Sequence, residues 1–164
     1  MRLAVLLASA LVAGCTLATS PAPESPAPRG LTPDGEGLQP AGTDLRIDFG
    51  RAQDGVIDAV TRLLGQPPAD ITRNPECGAG LVTAAYWPNG LTLNFTQGDF
   101  TGWVVTEPGL ATAGPLAVGQ LPPAVAMEET TLGREFERNG VWALVEDGSP
   151  ELSTLWSGTT CFFR

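Results

Sequence analysis

The chain has 164 residues, with nine basic residues that are all Arg, eighteen Asp and Glu, no His, and a formal net charge of −9. Without His or Lys it lacks the usual general bases, proton shuttles and Schiff-base formers, and Arg, which keeps its proton, replaces none of them. The acidic excess argues against nucleic-acid partners, and 43% hydrophobic with 16% charged residues describes a globular body, not a disordered one.

Arg2 precedes an apolar run from Leu3 to Leu11, followed by Val12-Ala13-Gly14-Cys15. A basic start, an apolar middle and small residues before a cut is the layout of an export signal, and the run is too short to span a bilayer as a stable helix. Val12-Ala13-Gly14-Cys15 resembles the lipobox of bacterial lipoproteins. The resemblance implies that residues 1–14 are cleaved and that Cys15 carries the lipid, the palmitate-type modification of that family. It also implies a place in the cell envelope, attached to the membrane through the lipid on Cys15. Thr16, which is not Asp, leans toward the outer membrane facing the periplasm if the organism has one.

From Thr16 to Gly42 the sequence is rich in Pro and Gly and poor in large apolar side chains, so residues 15–43 are expected to be anchor and tether. At about 3.1 Å per residue such a tether would reach roughly 80 Å if fully extended. The globular domain is expected over residues 44–164. Leu45, Ile47 and Phe49 alternate with Arg46 and Asp48, predicting a short strand. The spacing of Ala52, Val56, Ala59, Val60, Leu63 and Leu64 then predicts an amphipathic helix over about Gln53 to Leu64, capped by Gly65 and stopped by Pro67-Pro68.

Beyond Ala79 the pattern turns to strands: Leu81 to Trp87, Leu91 to Thr96 and Phe100 to Thr106, with a type I′ turn expected at Asn89-Gly90 and another turn at Gln97-Gly98-Asp99. Pro108 to Pro123 reads mostly as loop, with a short strand at Leu116 to Val118. Strands are expected again over Glu129 to Phe136, Val141 to Val145 and Leu152 to Trp156. The predicted fold is therefore α+β, one helix packed on an antiparallel sheet of about five to seven strands. The second Asn-Gly turn, Asn139-Gly140, has flanks like the first, which suggests a degenerate tandem repeat whose second unit lacks the helix.

A Gly before the helix, Leu64-Gly65-Gln66-Pro67 at its end and a meander after it resemble small envelope domains of the BamE/SmpA kind and the β-lactamase-inhibitor-protein-like fold. The resemblance covers roughly residues 45–106. It implies a protein that binds other proteins, and no functional residue is carried over from it.

If Cys15 is lipidated, Cys77 and Cys161 remain, and an exported pair is expected to form a disulfide, the alternative being two separate buried thiols. The bridge would pin the segment Cys161-Phe162-Phe163-Arg164 and bury one of the two phenylalanines. Among the four tryptophans, Trp103 and Trp142 are the candidates for partner binding. Phe100, Gly102 and Val104, and Val141, Ala143 and Val145, read as the inward faces of their strands, so both indoles would project from the other side. Trp87 and Trp156 read as core. Glu128-Glu129 and Glu146-Asp147 read as solvated turn charges and Asn94 as solvent-facing, and neither a metal nor a cofactor is expected. Ser149, Ser153 and Ser157 have no His or Lys to activate them. The leading expectation is a non-catalytic envelope lipoprotein that binds another envelope protein or stabilises an assembly. The competing readings are a carboxylate-dependent hydrolase of cell-wall glycan and a small-ligand binder using a Trp-bearing sheet face.

Overall fold

In the computed structural model, residues 30–114 and 116–161 are described. Strands β1 (Leu31–Asp34), β2 (Gly37–Pro40) and β3 (Ile47–Asp48) form a small antiparallel sheet in that order. Helix α1 (Gln53–Leu64) follows, then β4 (Asp70–Asn74), β5 (Val82–Tyr86), β6 (Leu91–Thr96) and β7 (Asp99–Val105). After a long loop come β8 (Glu128–Thr130), β9 (Gly133–Arg138), β10 (Val141–Val145) and β11 (Thr154–Gly158). The last eight strands make one sheet of order β4-β5-β6-β7-β11-β10-β9-β8, two four-stranded meanders joined through β7 and β11.

Helix α1 begins without a side-chain cap. Its first N–H groups are met partly by the sheet, because the Gln53 N–H donates to the Gly98 carbonyl in the β6–β7 turn. Gly65 closes it in the left-handed conformation with its N–H on the Thr61 carbonyl. Val56 and Val60, one turn apart, enter the main core beside Phe95 and Phe100. Leu31 and Leu38 of the small sheet join the same core, as do Leu110, Leu116 and Val118 of the long loop. One face of the eight-stranded sheet is thus covered by α1, the small sheet and the loop. This is the inner face, lined by Leu91, Leu93, Phe95, Phe100, Trp103, Val105, Val141, Ala143, Val145 and Leu155.

The α+β class agrees with the sequence reading, and so does α1, the one helix among the described residues, limits included. The sheet is larger than expected, with eight strands plus a separate three-stranded sheet. The folded body also starts earlier than residue 44. Leu31–Asp34 and Gly37–Pro40 form a hairpin with Leu31 and Leu38 buried, so residues 31–40 are not tether. Pro33 is compatible with this because β1 is an edge strand. The hairpin is held by the Arg46 guanidinium, which donates to both oxygens of Asp34 at 2.8 Å and to Asp48 at 2.9 Å, with Glu36 at 3.9 Å. Burial alone would raise the Asp34 pKa. The hydrogen bonds from Arg46 and from the Glu36 backbone outweigh it and hold the carboxyl below its ordinary value of 3.8.

Two further readings are corrected. The β5–β6 turn is not type I′: of Asn89 and Gly90 only Gly90 has a positive φ, and the Gly90 N–H donates to the Trp87 carbonyl across Pro88-Asn89. The turns with both central residues at positive φ are Gln97-Gly98 and Asn139-Gly140. Leu116 to Val118 is loop, with its two leucine and valine side chains buried, not a strand.

Candidate functional site

The two candidate tryptophans lie on opposite faces of the sheet. In the β6·β7 ladder Phe95 pairs with Phe100 but Asn94 pairs with Gly102, so Thr101 is an extra residue, a β-bulge. An extra residue reverses which side chains face inward beyond it. Phe100 points to the core, and so do Trp103 and Val105, while Gly102 and Val104 turn to the outer face. Trp103 is therefore fully buried, and its indole N–H donates to the Asp34 carbonyl at 2.8 Å. The expectation that Trp103 binds a partner is corrected: it locks the small sheet onto the large one. Ser157, paired with it on β11, does the same by donating to the Gly35 carbonyl at 3.2 Å. Trp87 is buried as well, its indole N–H on the Gln66 carbonyl at 3.1 Å.

Trp142 is on the outer face, half-buried. It pairs directly with Trp156 across β10·β11, and the two indoles stack at 6.1 Å between centroids with 13° between planes. Val104, Leu144 and Leu132 complete an apolar cluster separate from the main core, to which neither α1 nor the small sheet contributes. Trp156 was expected in the core; it is buried, but in this second cluster. The cluster has an acidic margin. Glu137 pairs opposite Trp142 and Glu135 opposite Leu144, the latter buried with one carboxylate oxygen accepting from the Thr130 hydroxyl at 2.9 Å.

Cys77 and Cys161 form the expected disulfide, with Cα atoms 5.3 Å apart. The bridge fastens a strap. After β11 the chain crosses the outer face, where the Thr159 N–H donates to the carbonyl of the bulged Thr101 and the Asn94 amide donates to the Thr159 carbonyl at 2.9 Å. The passage is possible because position 102 is Gly: a Cβ there would collide with the Thr159 backbone. Asn94 is consequently buried beneath the strap and not solvent-facing. Cys15 and the segment Phe162 to Arg164 lie outside the described residues, so the expected lipid site and the buried phenylalanine do too.

Two grooves flank Arg46. One, of about 530 Å³, is lined by Gly35, Glu36, Arg46, Asp48 and Phe49. Its two carboxylates are held by the same guanidinium, an arrangement that braces the hairpin rather than presenting a separated acid and base. The other, of about 380 Å³, lies between Leu45 to Ile47 and the start of α1. Among the described residues no cluster of three or more Cys, Asp or Glu could hold a metal, and no helix is long and apolar enough to cross a membrane. Comparison of the chain with protein-family models, with curated proteins and with solved structures found no match.

Proposed function

We propose that this chain is a lipid-anchored cell-envelope protein with a non-catalytic role, binding a partner protein or stabilising an envelope assembly through the outer face of its sheet around Trp142. The observation that carries the binding surface is the Trp142–Trp156 stack, an aromatic pair on the sheet face opposite the main core whose outer member, Trp142, is only half-buried. Aromatic anchors ringed by polar groups are where interface energy concentrates, and the exposed Glu137 opposite Trp142 would supply part of the rim. The address rests on Leu11 to Cys15, with lipid on Cys15 as the only membrane contact the proposal needs. The absence of His and Lys from the whole sequence supports a binding role over a catalytic one.

The strand order adds support for the tandem-repeat reading. Asn89-Gly90 and Asn139-Gly140 take the same place in the two meanders, each joining the second strand to the third, and only the first meander is preceded by a helix. Such a helix-plus-meander pair supports the likeness to the small envelope binding domains named above.

Two experiments test the reading. Growth with labelled fatty acid should label the wild-type chain and not Cys15→Ala, and an unlabelled wild type would remove the address. Capture of partners from cross-linked native envelopes should be lost with Trp142→Ala and kept with Trp142→Phe. Unchanged capture by Trp142→Ala would contradict the surface.

A further inference from the structure

The eight-stranded sheet ends on two unlike strands. β8 (Glu128–Thr130) is short and carries Glu128 and Glu129, so a second β8 laid against it would oppose like charges. β4 (Asp70–Asn74) is longer, contains no proline, keeps an unbroken register with β5, and leaves Ile71 48% exposed at the rim.

The hydrogen-bond phase shows which backbone groups of β4 face outward. The Trp87 N–H donates to the Leu91 carbonyl, so along β5 the odd-numbered residues turn their N–H and C=O to β6 and the even-numbered ones to β4. Tyr86, Ala84 and Val82 pair with Asp70, Thr72 and Asn74, which leaves Ile71 and Arg73 directing their groups away from the sheet. The Ile71 N–H rests on the Asp70 carboxylate at 2.8 Å. The Arg73 N–H and the carbonyls of Ile71 and Arg73 have no partner among the described residues.

We infer that β4 is a pairing edge for a second copy of this chain, the two β4 strands running antiparallel about a two-fold axis at Thr72. Among the two-fold registers, this one uses every outward group. It makes two hydrogen-bonded pairs, Ile71 with Arg73 of the second copy and the reverse, with Thr72 facing Thr72 between them. Pairing Ile71 with itself would set Arg73 against Ala69, whose N–H is already on the Tyr86 carbonyl. Pairing Arg73 with itself would set Ile71 against Pro75, which has no N–H. The side chains agree. Asp70, released from the Ile71 N–H, meets Asn74 of the second copy, whose Oδ1 accepts from the Glu76 N–H and whose amide nitrogen can donate. Ile71 gains the aliphatic stem of Arg73, and no like charges stand directly opposite. A foreign strand could use the same backbone groups but not this match of side chains.

Such an interface is small, so the dimer is weak, with a Kd on the order of 100 µM. Both copies are acidic, and added salt should tighten it. Trp142, in β10 near the other end of the sheet, takes no part, so this pairing stands apart from the partner surface proposed above.

The test uses the full chain in density-matched detergent, so that a lipid on Cys15 does not itself associate copies. Thr72→Cys should form an intermolecular disulfide on mild oxidation, because facing Cα atoms of a non-hydrogen-bonded pair lie about 4.5 Å apart, within disulfide range. Glu129→Cys on the opposite edge should not, and the parent chain controls for Cys15. Arg73→Pro removes an outward donor without touching the β4·β5 ladder, and should weaken dimerisation about tenfold or more in sedimentation while leaving the urea midpoint nearly unchanged. If that variant fails to fold, Thr72→Glu, which opposes like charges at the axis, should weaken it similarly. A chain that stays monomeric at about 1 mM, or a dimer indifferent to both variants, would overturn the inference. So would a photo-reactive side chain at position 72 that cross-links only to a different protein in native envelopes.

Discussion

Trp103 and Trp142 stand in β7 and β10 of the same sheet, separated by β11 alone, and have opposite environments. Trp103 has no exposed surface and donates to a backbone carbonyl of another sheet, whereas Trp142 is half-buried and stacked on Trp156 in a cluster of five apolar side chains. Both sit in runs of similar composition, Gly-Trp-Val-Val and Val-Trp-Ala-Leu-Val. The difference comes from one residue. Without the bulge at Thr101, strict alternation from Phe100 would place Trp103 on the outer face and leave the small sheet without its indole anchor. Position in the ladder, and not residue type, decides which face of the sheet a tryptophan joins.

Substituting each indole sharpens the comparison. Trp103→Ala should cost about 3–5 kcal/mol, since it opens a cavity and takes the indole donor from the part-buried Asp34 carbonyl, and Trp142→Ala only about 1 kcal/mol. Urea midpoints with unchanged slopes would measure both, and equal losses would contradict the assignment of faces. Replacing Cys77 and Cys161 together by Ser should cost roughly 2–4 kcal/mol, because the bridge closes a loop with a sequence separation of 84. Calorimetry with and without reductant checks this, and a reductant-insensitive wild type would count against it. Gly102→Ala should cost about 1–3 kcal/mol, since the added methyl must displace the strap at Thr159. Faster amide exchange at Thr159 would be its local signature, whereas Gly148→Ala, with nothing near the added atom, should not disturb the strap.

The smallest effect is pH dependence in the hairpin. The Asp34 pKa lies below its unfolded value of 3.8, so its contribution to stability is fully present above that value and is lost as pH falls through the folded one. Urea midpoints should therefore fall on acidification below about pH 4, and Arg46→Ala should flatten that limb. An unaltered acid limb in the variant would remove Arg46 as the cause.

The comparison also shows what the sequence could reveal. Helix α1 was legible because its period and its Gly-Pro ending are local signals, and β10 because Val141 to Val145 alternates without interruption. The disulfide followed from counting cysteines in a chain whose first residues read as an export signal. Strand β4 was missed because Asp70–Asn74 is an exposed edge with only Ile71 as a large apolar residue. The β1–β2 hairpin was hidden by its prolines: Leu31 and Leu38 look isolated in a Pro- and Gly-rich stretch until Arg46, Trp103 and Ser157 are brought to it from elsewhere in the chain. The bulge was invisible for a related reason, since it is defined by the partner strand as much as by Thr101. Asp34 is the residue most underrated by the sequence, with its carbonyl accepting from Trp103 of the large sheet and its carboxylate from Arg46, just before β3.

The sorting of the four indoles is tested most directly by treating the native full chain with limiting N-bromosuccinimide and mapping the oxidised residues by mass spectrometry. The account predicts that Trp142 reacts first, with Trp87 and Trp156 far behind and Trp103 last. Oxidation of Trp103 as early as Trp142, in protein that remains folded, would contradict it.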